Sequence, residues 1–199
     1  MSYYKKDTQP GNLKHSSIFS LYKDSQGTIW AGTYYGGVQY FNPQMDFFRH
    51  YSEDADRTDC LSFFFVGNMA EDKRGDIWIC TEGGGLNYLN RKTRLFTHYL
   101  AGEHSSGPSF FNLKCIEYDP VRDCIYVGTH KQGFFCFDIP TRKIKYHTED
   151  AGTSLSKITL RGDSLYILSS KGMLVKNLQT GTTGYLYPSI QETRGGGSS

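Results

Sequence analysis

Asp24 and Asp72 each open an Asp-x-x-Gly tetrapeptide, and Gly83, Gly84 and Gly85 stand in a row just after the second of them. Aspartates in a glycine-closed turn could begin a calcium loop. They lack the dense run of alternating carboxylates that such a loop needs, so a backbone-bonding turn is the better reading. Consecutive glycines could cradle a phosphate. A phosphate loop must open a helix, and here an apolar run suited to a strand follows at once. The five cysteines (Cys60, Cys80, Cys115, Cys124, Cys136) are odd in number and have no CxxC spacing. Most sit in apolar runs and read as small buried residues rather than a disulfide framework or metal site. No Ser/His/Asp order and no H-E-x-x-H helix stands out, so neither a catalytic residue nor a metal ligand nor a cofactor is expected.

The positions around these residues recur. "GTIWAGTYYGGVQYFN" (27–42), "GDIWICTEGGGLNYLN" (75–90) and "DCIYVGTHKQGFFCFD" (123–138) are spaced by 48 residues. Trp30, Trp78 and Tyr126 fall in one phase, as do Thr33, Thr81 and Thr129, and Gly37, Gly85 and Gly133. Tyr166 follows Tyr126 after 40 residues, in a shorter and weaker fourth copy. A period of this size denotes a propeller or solenoid. Each copy divides into four short apolar runs joined by tight turns, which is the pattern of one propeller blade. Composition agrees: 15% of the 199 residues are aromatic and 22 are glycine, a mix for strands and turns.

The expected fold is therefore all-β, a propeller of four blades of four antiparallel strands, forming part of a larger propeller. Residues 13–51, 52–99, 100–147 and 148–188 would be the blades. Residues 1–12 resemble the outer strand and crossover of a blade whose other strands are missing, and 189–199 have the composition of a flexible tail. The aromatic column Trp30, Trp78, Tyr126 and Tyr166 is expected to be core between blades. A formal net charge of +2 without a basic block gives no reason to expect nucleic acid. No run is long and apolar enough to cross a membrane, so no membrane contact is expected within the chain.

Antiparallel order places the hairpin between the second and third strands on the same rim as the crossover to the next blade. On that rim lie Tyr34 and Tyr35, then Glu82, then His130, Lys131 and Gln132, with Ser170 and Lys171 in the fourth copy. The crossovers span 52–61, 100–112 and 148–154, and the second holds Phe110 and Phe111. Aromatic faces beside polar groups are what sugar recognition needs: C–H faces stack on rings while hydroxyls take directed hydrogen bonds. Tyr34, Tyr35, Glu82, Phe110, Phe111, His130, Lys131 and Gln132 are the candidate ligand site.

"SLYKDSQGTIWAGTYYGGVQYFNP" and "MAEDKRGDIWICTEGGGLNYLN" resemble the two-component regulator propeller repeat, with its apolar strand, Asp-x-x-Gly turn, Trp-bearing strand and Gly-Gly turn. The third copy has Tyr126 for Trp and its Asp119 one residue early. The fourth lacks the aspartate turn. The resemblance implies a ligand-sensing piece of a hybrid histidine-kinase receptor, periplasmic, recognising oligosaccharide fragments and regulating polysaccharide utilisation. The kinase itself is absent from this chain. A protein-docking scaffold is the alternative, with a propeller glycosidase or lyase behind it. Partners would be an oligosaccharide and either further blades of a parent chain or a second copy of this one.

Overall fold

The computed structural model describes residues 12–42, 48–52, 59–100, 112–149, 151 and 154–188. Among these residues sixteen strands form four sheets, each of four antiparallel strands in sequence order. The first sheet holds β1 (Ile18–Lys23), β2 (Ile29–Thr33), β3 (Val38–Phe41) and β4 (Phe48–Tyr51). The second holds β5 (Val66–Glu71), β6 (Ile77–Thr81), β7 (Gly85–Asn90) and β8 (Leu95–Tyr99). The third holds β9 (Leu113–Asp119), β10 (Cys124–Thr129), β11 (Phe134–Asp138) and β12 (Lys143–Thr148). The fourth holds β13 (Leu155–Arg161), β14 (Ser164–Ser169), β15 (Gly172–Asn177) and β16 (Thr183–Pro188). No helix occurs among the described residues. These are the four expected blades.

The register repeats with the sequence. Trp30 pairs with Tyr22 and Tyr40, Trp78 with Ala70 and Tyr88, and Tyr126 with Glu117 and Cys136. The hairpin closing each second strand is held by one recurring bond. Thr33 Oγ1 donates to the Gly37 carbonyl at 2.9 Å, Thr81 to Gly85 at 3.0 Å, Thr129 to Gly133 at 2.8 Å and Ser169 to Gly172 at 3.2 Å. The glycine is required twice over. Gly85 has φ 72°, and a Cβ there would stand 2.7 Å from the Tyr99 carbonyl oxygen.

Alternation along β2, β6 and β10 sends the large aromatic to one face and aliphatic residues to the other. The two kinds of face meet between blades. Trp30 packs against Ile77, Ile79 and Leu89 of the second blade. Trp78 packs against Ile125, Val127 and Phe137 of the third, and Tyr126 against Leu165 and Ile167 of the fourth. Cys80, Cys115, Cys124 and Cys136 are free thiols buried in these layers. Burial and the neighbouring Cys115 push the Cys80 thiol far up, so it stays protonated.

Among the described residues the inner strands touch in series, β1 with β5, β5 with β9 and β9 with β13. No contact of that extent joins β13 to β1, so the four blades make an open arc. Among the described residues its two end faces are unpartnered. On the first blade Leu21 is 70% exposed and Ile29 is also exposed. On the fourth, Tyr166 shares its face with Leu168, and Leu168 is exposed. The expectation of a four-member core column is corrected here. Trp30, Trp78 and Tyr126 are buried, but Tyr166 is only half-buried, because no fifth blade lies over it among the described residues.

Trp78→Ala should therefore cost about 3–5 kcal/mol in chemical denaturation, and Tyr166→Ala about 1 kcal/mol or less. Equal losses would contradict the open arc. Apolar end faces of this kind seldom stay in water. In sedimentation equilibrium at about 20 μM the chain should self-associate, and an ideal monomer would count against open ends.

Candidate functional site

The rim over the first two blades gathers an aromatic cluster. Tyr34 and Tyr35 form the tip of the β2–β3 hairpin, where Thr33 Oγ1 also accepts the Gly36 amide at 2.8 Å. Phe63, Phe64 and Phe65 run along the rim just before β5. Tyr34 and Phe65 have ring centres 4.2 Å apart, Tyr34 and Tyr35 4.4 Å, and Tyr35 stacks on Phe64 at 5.5 Å. Phe63 stacks on Phe64 at 4.3 Å. The backbone ties the two segments together: the Gly37 amide donates to the Phe64 carbonyl at 3.1 Å. Tyr35 is 61% exposed, so its ring is offered to solvent rather than spent in the core. A cleft of about 300 Å³ opens beside it, lined by Tyr35, Gly36, Gly37, His50, Ser52 and Phe64.

Polar groups flank the cluster on the side of the third blade. Glu82 donates its amide to the Phe65 carbonyl at 3.0 Å and its carboxylate pairs with Lys114. The Lys114 ammonium lies 5.9 Å from the centre of the Phe65 ring. Glu82 thus belongs to the same surface as Tyr34, as the rim argument expects. His130, Lys131 and Gln132 occupy the β10–β11 hairpin of the third blade. Among the described residues, no ring contact or side-chain hydrogen bond joins them to the Tyr34–Phe65 cluster. The His130 amide bonds the Asn112 carbonyl at 3.0 Å, and Gln132 serves through its backbone, its carbonyl meeting His147. Phe110 and Phe111 lie outside the described residues.

Phe63, Phe64, Phe65 and Lys114 are additions to the expected site. "FFF" (63–65) falls just beyond the crossover 52–61. Three consecutive aromatics ahead of an inner strand were the available signal. Phe63 also accounts for Gly83, where a Cβ would come within 2.7 Å of its ring.

The aspartates are structural. Asp24 Oδ1 accepts the amides of Gln26 and Thr28 at 2.9 Å, and Oδ2 accepts Trp30 Nε1 at 2.8 Å. Asp72 repeats this with Arg74, Asp76 and Trp78 Nε1, the last at 3.1 Å. Asp119, one residue further from its aromatic, accepts the Tyr126 hydroxyl at 3.2 Å. Each carboxylate is committed to its turn, its ring and an arginine: Arg91, Arg74 and Arg122 respectively.

The family model for the two-component regulator propeller matches residues 12–35. That span holds the segment leading into β1, the Asp24 turn, Trp30 and the rim tyrosines. The likeness in sequence to that family lies in these residues. The extracellular domain of the hybrid two-component system BT3049 of B. thetaiotaomicron is similar in structure, with TM-score 0.75 and 22% identity, over 91% of this chain and 25% of that one. The extracellular domain of BT4673 from the same organism gives 0.70 and 21%, over 85% and 25%. The WD40 repeats of RRP9 give 0.71 at 10% identity, over 86% and 51%. These likenesses are of fold. The chain spans about a quarter of the length of the two B. thetaiotaomicron domains. No curated protein matches it.

In the second blade the aspartate fixes the ring, and its titration is linked to folding. Burial opposes the charge on Asp72, but bonds from Arg74 and Trp78 outweigh it and hold its pKa below the ordinary 3.8. A depressed folded-state pKa contributes stability that is complete above the unfolded value and lost as pH falls through the folded one. Asp72→Asn should lower the thermal midpoint most above about pH 5, and the gap should narrow below about pH 3. A pH-independent gap would show that charge at Asp72 is not what matters.

Proposed function

We propose that this propeller arc is the ligand-contacting part of a sensor region of a two-component signalling receptor, outside the cytoplasm, and that it binds glycan fragments across the rim of its first two blades. The observation that carries the reading is Tyr35, exposed and stacked on Phe64 beside an open cleft. A ring so placed presents a flat apolar face to the C–H face of a sugar. Gly36 and Gly37 keep the cleft floor free of side chains, and His50 and Ser52 border it. The Glu82–Lys114 pair supplies directed acceptors and donors at the far end of the aromatic row. Similarity in fold to extracellular domains of two-component systems supports the sensing role and the location. The reading is of a binding module and not an enzyme, since the carboxylates of the repeat are engaged in turns and arginine pairs rather than facing a cleft together.

Docking of another protein is the second reading. It is favoured by the apolar end face of the first blade, where Leu21 and Ile29 are exposed. A panel of neutral and acidic oligosaccharides titrated against the chain separates the two. Glycan binding at the rim should fall about tenfold or more in Tyr35→Ala, with the unfolding midpoint unchanged. Glycan binding insensitive to that substitution would move the site elsewhere. No glycan binding at all, with self-association abolished by Leu21→Glu, would favour the docking surface.

A further inference from the structure

The hairpin from third to outer strand has one backbone in the last three blades. Its final residue takes a positive φ, and its amide donates to the carbonyl four residues back. Arg94 (φ 63°) bonds Asn90 at 2.7 Å, Arg142 (φ 59°) bonds Asp138 at 2.9 Å, and Gly181 (φ 76°) bonds Asn177 at 2.9 Å. A side chain at this position can reach over the groove toward the preceding blade. Arg142 does so. Its guanidinium carbon lies 5.3, 5.0 and 5.6 Å from the ring centres of Trp78, Tyr88 and Tyr99, and one of its nitrogens is buried there. The guanidinium is a plug in the groove between the second and third blades.

The next groove along is lined differently. Gly181 brings no side chain to it, and Cys136 stands in the register position that Tyr88 holds beside Trp78. A cavity of about 720 Å³ opens there, with Tyr126 among its lining residues and Tyr146 on the blade-three side. That size suits a small molecule, for which pockets run roughly 300–1,000 Å³. The Tyr146 hydroxyl is buried beside that of Tyr126. The charges on the wall are of one sign, with Arg122, Lys145 and Lys176 in the lining and no carboxylate. Asp119 and Asp163 engage Arg122, and Asp138 engages Lys145. Lys176 lies 5.9 Å over the Tyr146 ring and makes no ion pair among the described residues.

We propose that this cavity between the third and fourth blades is a second binding site, open because glycine replaces the arginine plug, and that it takes a six-membered ring bearing a carboxylate. The ring occupies the space against Tyr146 and the carboxylate meets Lys176. Arg122 and Lys145 are neutralised by their aspartates, so Lys176 is the charge that favours an anion over a cation here, which separates the site from an empty copy of the arginine-filled groove. A sugar acid and an aromatic acid share this chemistry. The site is independent of the rim.

Isothermal titration calorimetry with glucuronate and 4-hydroxybenzoate as probes, and glucose and phenol as uncharged controls, tests it up to about 10 mM. At least one acid should bind and its uncharged control should not, and the acid that binds identifies the source. Gly181→Arg should weaken binding about tenfold or more, since Arg94 and Arg142 show that the turn accepts arginine. Lys176→Gln should weaken it comparably, and it decides the matter if Gly181→Arg does not fold. Tyr35→Ala should have no effect. Binding by neither acid, or binding that survives both Gly181→Arg and Lys176→Gln, would overturn the proposal.

Discussion

One interaction orders this molecule: a buried aspartate that accepts two backbone amides of its own turn with one oxygen and an aromatic side chain of the next strand with the other. The first pair of bonds fixes the turn between inner and second strands. The second aims a tryptophan or tyrosine at the neighbouring blade. A buried carboxylate is tolerable only when paired, and each is. Arg74 and Arg122 come from the same turns as Asp72 and Asp119. Asp24 is served by Arg91 of the next blade, which also reaches Glu71, so the local motif becomes a tie between blades. The third copy shows how the geometry adapts. Its aspartate stands seven residues before the aromatic instead of six. A tyrosine hydroxyl, set further from the backbone than an indole nitrogen, still reaches it.

With the ring direction settled, the opposite rim follows. The threonine–glycine bond closes the second hairpin in the same conformation each time, and the tip residues are free to differ. Tyr34 and Tyr35 can stand in solvent because the strands below them are anchored elsewhere. The outer strand contributes a matching brace. His98 Nε2 approaches the Cys60 carbonyl at 2.6 Å, and His147 approaches that of Gln132. These contacts clamp backbone and leave the aromatic faces unobstructed. Constant backbone with variable tips is what allows a repeat to carry recognition.

The same logic governs the other end of the blades. Three hairpins share a left-handed final residue, of which Arg142 covers the rings of the preceding blade while Gly181 brings no side chain to its groove. The conformational demand is compatible with arginine or glycine, so packing and not backbone strain separates the copies. The fourth blade departs furthest from its siblings. It has no aspartate turn, its inner hairpin is tightened around Gly162 at φ 56°, and its tyrosine lies on a half-open face.

The blades and their strands were legible in the residues, because a period of 48 and the alternation within each run are local and repeated. So was the aspartate turn, since Asp-x-x-Gly has few backbone solutions. Other features required the tertiary structure. Tyr166 has the sequence position of Trp78 but not its burial, because burial depends on a neighbouring blade and not on the residue's own strand. The meeting of Tyr34 and Tyr35 with Phe64 and Phe65 joins segments some thirty residues apart. The sequence named one half of that cluster from hairpin geometry. The other half lay in a connection with no period of its own, where only the packing of one blade on the next decides which rings touch.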